Sequence, residues 1–483
     1  MNILVINGSP KGNNSITLQT LLFLEKLFIE HKFEFLNVGQ KIKYYEKNFN
    51  EIKEAFEKAD IIIFSYPVYT FLIPYQLHRF IELLKENNIE VKDKFATQFS
   101  TSKHFYDVTA HKFLEENCLD LGFKYIRGLS ADMEDLMKKE GQNDAVNFFN
   151  YLIFSIENNL YTQSINSKPQ DKIIYKRRFN NNIENKDSSK DVLILSNTSK
   201  DDENLINIIE DFKNIFPYKT REINIREYNF HGGCLGCFGC AITGKCVYKD
   251  GFDDFLRNEI QKADAIIYAF TIENHYTHSS FKLYEDRQFC NGHRTVTEGM
   301  PIGYIISGDY DSEYNLQTLI ESRAEVGGNF LTHIANDDNK DIYNELEKLS
   351  SIMKYAIDNK CTRPKNFYGV GGMKIFRDLI YVMQGLMKED HKYYKKHNIY
   401  DFPQKQRMKM LQIKLVGALI SIPSMQNKMK NKMKNKMKNK MKNKMKNKMK
   451  NKMKNKMKNK MKNKMNEYIL MPYKKIIDNA KYK

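Results

Sequence analysis

The sequence predicts an α/β protein of two doubly wound parallel sheets in tandem, followed by a helical region and a lysine-methionine tail. Three observations predict it. Residues 2–7 (Asn-Ile-Leu-Val-Ile-Asn) form a short apolar run without polar alternation, as a strand buried on both faces requires. That run breaks at Gly8-Ser9-Pro10-Lys11-Gly12-Asn13-Asn14-Ser15 and leads into a helical pattern of Leu18, Leu21, Leu22, Leu24, Leu27 and Phe28. Finally, Lys58-Ala59-Asp60-Ile61-Ile62-Ile63-Phe64 returns as Lys262-Ala263-Asp264-Ala265-Ile266-Ile267-Tyr268, so one fold is used twice.

The remaining elements follow in order. A helix over residues 50–58 runs into a second buried strand, which Tyr66-Pro67-Val68-Tyr69 stops, and a helix spans about 74–85. Weaker strands are expected near 95–100 and 124–129 with a helix between them, closing a first domain at 1–154. Residues 155–190, rich in Asn, Lys and Ser, read as a linker. A second domain over 191–340 then has strands at 191–196, 262–268 and 302–307, with helices over 205–212 and 252–260. Residues 341–425 read as helical, 426–466 as an Asn-Lys-Met-Lys repeat and 467–483 as a C-terminal segment.

Charge is concentrated in the repeat. The 483 residues carry a net charge of +18, but the stretch from Asn427 to Met465 alone holds 19 lysines and no acid, which leaves −1 for everything else. A near-neutral body argues against a nucleic-acid partner. On a helix the methionines, four residues apart, drift about 40° per repeat, so they form no stripe. The tract is read as low-complexity chain, with contact to anionic membranes as its sharper alternative. No basic leader precedes an apolar core at the N-terminus, and no apolar run approaches about 18 residues, so a cytoplasmic protein is expected.

Two loops of the first domain suit a phosphorylated flavin. Gly8, Ser9, Pro10, Lys11, Asn14, Ser15 and Thr17 would present backbone N–H groups and hydroxyls at a helix N-terminus, where a phosphate binds. Tyr66, Pro67, Val68, Tyr69 and Thr70 lie at the C-terminal end of the next strand, where open α/β sheets hold ligands, and would wall the isoalloxazine. These segments, with Pro74 and Leu77-His78-Arg79-Phe80 after them, resemble the NADPH-dependent FMN reductase branch of the flavodoxin-like superfamily. The resemblance implies FMN on these loops and a flavodoxin-like fold. Where that family usually has Lys, this chain has His78.

Cys234, Cys237, Cys240 and Cys246 follow a Cys-x2-Cys-x2-Cys-x5-Cys spacing, preceded by Gly232-Gly233 and interleaved with Gly236 and Gly239. Four thiolates on a glycine-rich loop can converge on a [4Fe–4S] cluster; tetrahedral zinc, or thiols without metal, are the alternatives. With Asp250-Gly251-Phe252-Asp253-Asp254 and Ala263–Ile267, the motif is similar to that of iron–sulfur flavoproteins. That resemblance implies electron passage from NAD(P)H through FMN to the cluster or a small acceptor, in a homo-oligomer; the alternatives are an electron-transfer protein reduced by ferredoxin, without a nicotinamide site, and a zinc-stapled non-catalytic binding module. The second domain departs from the pattern. Its phosphate loop would be Ser196–Glu203, which has no glycine and three consecutive acids, and Phe270–Tyr276 lacks the proline. A second FMN is therefore not expected. His275 and His278 are weaker candidates near that edge, whereas Cys118, Cys290 and Cys361 read as ordinary thiols.

Overall fold

A computed structural model describes residues 1–104, 106–162, 174–179, 186–338, 341–400, 407–421 and 470–480. The lysine-methionine repeat lies outside the described residues. Strands β1 (Asn2–Asn7), β2 (Lys32–Leu36), β3 (Ile61–Pro67), β4 (Phe95–Ser102) and β5 (Lys124–Tyr125) form a parallel sheet in the order β2-β1-β3-β4-β5, and β6 (Leu129–Asp132) also pairs with β4. Strands β7 (Asp187–Ser196), β8 (Tyr218–Asn224), β9 (Ala265–Thr271), β10 (Pro301–Ser307) and β11 (Phe330–Asn336) form a second parallel sheet, ordered β11-β10-β9-β7-β8. Counted from its own first strand, each sheet has the flavodoxin-like order 2-1-3-4-5, which opens a crevice between strands one and three.

The central strands are apolar because helices cover both faces. Val5 pairs with Ile63 and Ile194 with Ile267, all of them buried. Each such side chain contributes about 1.5–3 kcal/mol when fully withdrawn from water. Helix Ile342–Asn359 buries Leu346, Leu349 and Met353 against the second sheet, so the second fold ends with this helix and extends past residue 340. At the other end of the chain, Leu470, Tyr473 and Ile477 enter the core of the first domain beside Phe149 and Leu152. Among the described residues, no helix is long and apolar enough to cross a membrane.

The two domains meet through equivalent helices. Helix Tyr75–Glu86 follows β3, and helix Ser279–Arg287 follows β9, the third strand of its own sheet. Glu82, in the eighth position of the first, accepts from the Ser279 amide and hydroxyl, both at 2.6 Å. Asp286, in the eighth position of the second, accepts from the Tyr75 amide at 2.7 Å. Each helix therefore has its open N-terminal amides capped by its counterpart, an approximately two-fold arrangement inside one chain.

His275 bridges the same interface. Its Nδ1 lies 2.9 Å from Glu313 and its Nε2 3.0 Å from Asp120 of the first domain. Burial opposes its charge, but the two carboxylates outweigh burial and raise its pKa to about 10. A raised pKa stabilises the fold fully below the ordinary value near 6.5, and that contribution is lost as pH rises through about 10. Thermal unfolding midpoints should therefore fall over this window in the wild type, and the His275→Gln variant should fall less steeply over the same range.

Candidate functional site

A cavity of about 510 Å³ lies where the C-terminal end of the first sheet meets the second domain. Ser9, Lys11, Ser15 and Thr17 line it, and so do Pro67, Val68, Tyr69 and Thr70. The first loop is a compact turn: Gly8 donates to the Ser65 carbonyl at 2.9 Å, Gly12 to Ser9 at 3.0 Å and Ser15 to Gly12 at 2.9 Å. Ser15 caps helix Ile16–Leu27, its hydroxyl accepting from the Leu18 amide at 3.5 Å. The Thr17 hydroxyl pairs with that of Thr101 at 2.7 Å, which ties the helix start to the end of β4. Gly8, Pro10 and Asn14 shape the turn and do not line the cavity.

Tyr66 does not reach the cavity. Strand β3 continues through Pro67, so Tyr66 remains a strand residue and points into the core, where its hydroxyl donates to Gln98. Beyond it, the chain reverses at Thr70 and Phe71, both at positive φ (47° and 68°), and Tyr69 and Leu72 exchange hydrogen bonds at 2.8 and 3.0 Å. Left-handed non-glycine residues cost of order 1–3 kcal/mol each, and surrounding contacts must hold them there. The second domain supplies those contacts. Lys282 donates to the Tyr69 carbonyl at 3.1 Å and to the Thr70 hydroxyl at 2.9 Å. Asp286 accepts from that hydroxyl at 2.9 Å, and Arg323 donates to the Thr70 carbonyl at 2.6 Å. Lys282 occupies the fourth position of its helix, as His78 does in the first domain. His78 is buried, with neither ring nitrogen hydrogen-bonded, and burial pushes its pKa well down.

All four cysteines of the spaced motif line the same cavity. Gly236, at φ +57°, brings their loop so close to the first domain that a Cβ there would meet the Tyr69 hydroxyl at 2.3 Å and Lys11 Cε at 3.1 Å. Lys11 Nζ stands 5.3 Å from the centre of the Phe238 ring. Burial holds the Cys234 thiol well above its ordinary pKa, and burial with neighbouring thiols raises Cys240 to about 12, so a bound metal would displace protons.

Thiolates on one tetrahedral zinc, at Zn–S of about 2.3 Å, lie roughly 3.8 Å apart, whereas the corners of a cubane are wider. Among the described residues, no three of these sulfurs lie within 4.8 Å of one another. Four thiols on one loop are a donor set that can serve an iron–sulfur cluster or a tetrahedral zinc ion. On the far side, Met373, Phe376, Leu379, Met383 and Met387 of the C-terminal helices roof the cysteine loop.

The corresponding crevice of the second domain is filled from within. Asp202 caps helix Glu203–Ile215 at the position that Ser15 holds in the first domain. Its carboxylate accepts from the Ser199 amide and hydroxyl at 2.5 and 2.7 Å and from Thr271 at 2.9 Å. Burial raises its pKa, but these hydrogen bonds outweigh burial and hold the carboxyl below its usual range. An anion built into the chain thus occupies the turn that would cradle a phosphate. His275 and His278 do not line the cavity, and His278 instead accepts from the Ser280 amide at 3.2 Å. Burial lowers the His278 pKa to about 4.

Sequence reasoning passed over Thr101, Ser102 and Lys103, which line the cavity from the end of β4. The signal was present, because the last residues of any central strand in such a sheet border its ligand edge. It also passed over Lys282 and Asp286, which only the packing of the two domains brings to the loop.

A curated relative, an iron-sulfur flavoprotein from Archaeoglobus fulgidus, is 29% identical over 91 residues, which are 19% of this chain and 40% of that protein. The chain thus spans well under half the length of that relative. Solved structures that align with it include an NAD(P)H:quinone oxidoreductase from Methanothermobacter marburgensis (14% identity, TM-score 0.25, 34% of this chain and 96% of that one). Another is an FMN-dependent NADH-azoreductase from Bacillus anthracis (15% identity, TM-score 0.24, 31% of this chain and 98% of that one). Residues 1–115 match the family of NADPH-dependent FMN reductases.

Proposed function

We propose that this chain is an FMN-dependent oxidoreductase that takes electrons from NAD(P)H and passes them to a [4Fe–4S] cluster held by Cys234, Cys237, Cys240 and Cys246, or to a small acceptor. One observation carries the reading: the phosphate-type turn, the Tyr69–Thr70 loop and all four thiols line one cavity. FMN, when bound, accepts a hydride and releases electrons singly, and so joins a two-electron donor to a one-electron centre. Ser9, Ser15 and Thr17 offer hydroxyls at the N-terminus of helix Ile16–Leu27, where the helix dipole favours a phosphate. Lys11 adds positive charge beside that turn, and Pro67, Val68 and Tyr69 supply a flat apolar wall. The C-terminal helices pack over the thiol side.

Anaerobically purified protein should contain iron and sulfide, bind FMN, and lose its visible absorbance when NADH or NADPH is added. Because Asp202 already occupies the second turn, FMN titration should saturate at about one flavin per chain. Zinc without iron, or no flavin uptake, would refute the reading. Reduction by ferredoxin but by neither nicotinamide would mark an electron-transfer protein instead.

A further inference from the structure

Two consecutive residues of helix Ser279–Arg287 reach different loops. Asp286 faces the flavin side, where it accepts from the Thr70 hydroxyl at 2.9 Å and the Tyr75 amide at 2.7 Å. Arg287 faces the thiol side. Its guanidinium engages both carboxylate oxygens of Asp250, at 2.7 and 2.8 Å, and donates to the Gly232 carbonyl at 2.9 Å. It also lies 4.4 Å from the centre of the Tyr248 ring, and its Nη2 stands 4.0 Å from Cys246 Sγ. The side chains of Lys282, Asp286, Arg287 and Asp250 are at most 2% exposed. Water is therefore excluded from both ends of the network, and neither end can rearrange without leaving a buried charge unpaired.

We propose that Asp286 and Arg287 act as positioning residues that couple the two loops, so that a filled thiolate loop raises the affinity of the first domain for FMN. The physical basis is a shared rigid element. Ordering Gly232–Asp250 around a metal centre fixes Arg287, and the adjacent Asp286 then holds Thr70 and Tyr75 where the flavin loop needs them. By linkage, FMN must strengthen metal retention by the same equilibrium factor. This rests on the reading above that FMN occupies the first domain and a cluster occupies the cysteines.

The test uses the full chain, purified without oxygen, and quenching of FMN fluorescence to measure its dissociation constant. Iron-loaded protein should bind FMN at least about fivefold more tightly than the same protein after its iron is removed by a chelator. Asp250 does not line the cavity, and its carboxylate also accepts from the His231 amide at 3.1 Å and the Phe252 amide at 3.4 Å; Asp250→Asn should shift loaded protein towards the iron-free affinity by weakening the pairing with Arg287, and Asp250→Glu should restore part of the difference. Equal affinities in the loaded and iron-free wild type would overturn the coupling while leaving the flavin reading intact. Absence of quenching in the wild type would overturn both. If Asp250→Asn loses the cooperative thermal transition of the parent, the wild-type comparison alone decides.

Discussion

Cys237→Ala is expected to strip iron and sulfide from the protein to background while FMN still binds, and to reduce electron delivery to one-electron acceptors to background. Four sulfurs reach the cavity from one thirteen-residue loop, and a fifth cysteine that lines it, Cys290, comes from a separate turn, after helix Ser279–Arg287. Arg257 and Arg294 hold that turn by donating to the Cys290 carbonyl at 3.1 and 3.0 Å, so Cys290 is not free to move into a vacated position of the loop. The flavin loops have their own supports in β1, β3 and the second domain, so flavin binding should survive, weakened by the loop coupling. Cys361→Ala serves as the comparison, because Cys361 lies after helix Ile342–Asn359 and outside the cavity. Iron retained in Cys237→Ala would remove Cys237 from the ligand set.

How much of this was legible in the sequence depends on where burial is symmetrical. The buried strands β1, β3, β7, β9 and β10 read clearly, because a strand covered on both faces must be apolar throughout. The strands that escaped, β2, β8 and β11, all stand at sheet edges. Lys32-Phe33-Glu34-Phe35-Leu36 and Tyr218–Asn224 are half exposed and carry charges that mask any apolar run. The two cofactor-type loops were legible because their chemistry is local, in a turn between strand and helix and in a spacing of cysteines. Tyr66 was misjudged by a single step of strand length, since one residue of register turns a side chain from the ligand edge into the core.

What remained illegible is long-range. Thr70 and Asp286 are 216 residues apart in sequence and 2.9 Å apart in space. The repeated fold made two domains predictable, but not that they would pair helix to helix, nor that each would complete the other. The pairing is not symmetrical in detail. In an arrangement close to two-fold, Lys282 grips the turn of the first domain, while its counterpart His78 makes no hydrogen bond through its ring nitrogens to the second.

Lys282→Met should be the most damaging single change at the interface. Lys282 and Asp286 form a contact with neither side chain exposed, and the ammonium also donates to Tyr69 and Thr70. Methionine matches the length of the lysine stem but leaves the Asp286 carboxylate without its cation, and breaking one member of a buried pair costs about 3–5 kcal/mol. A loss of that size lowers the midpoint for a domain of this length on the order of 10 °C, readable by calorimetry. The turn loses two donors as well, one to the Tyr69 carbonyl and one to the left-handed Thr70, so FMN affinity should fall about tenfold or more, equivalent to ~1.4 kcal/mol or above. His78→Lys gives the opposing comparison. It would place a charge in a pocket where burial and the nearby Lys282 already disfavour a proton on the imidazole, so it should destabilise the protein and cannot restore a second flavin site while Asp202 fills the turn. A Lys282→Met protein with an unchanged midpoint and unchanged FMN affinity would show that the first domain holds its flavin loop unaided.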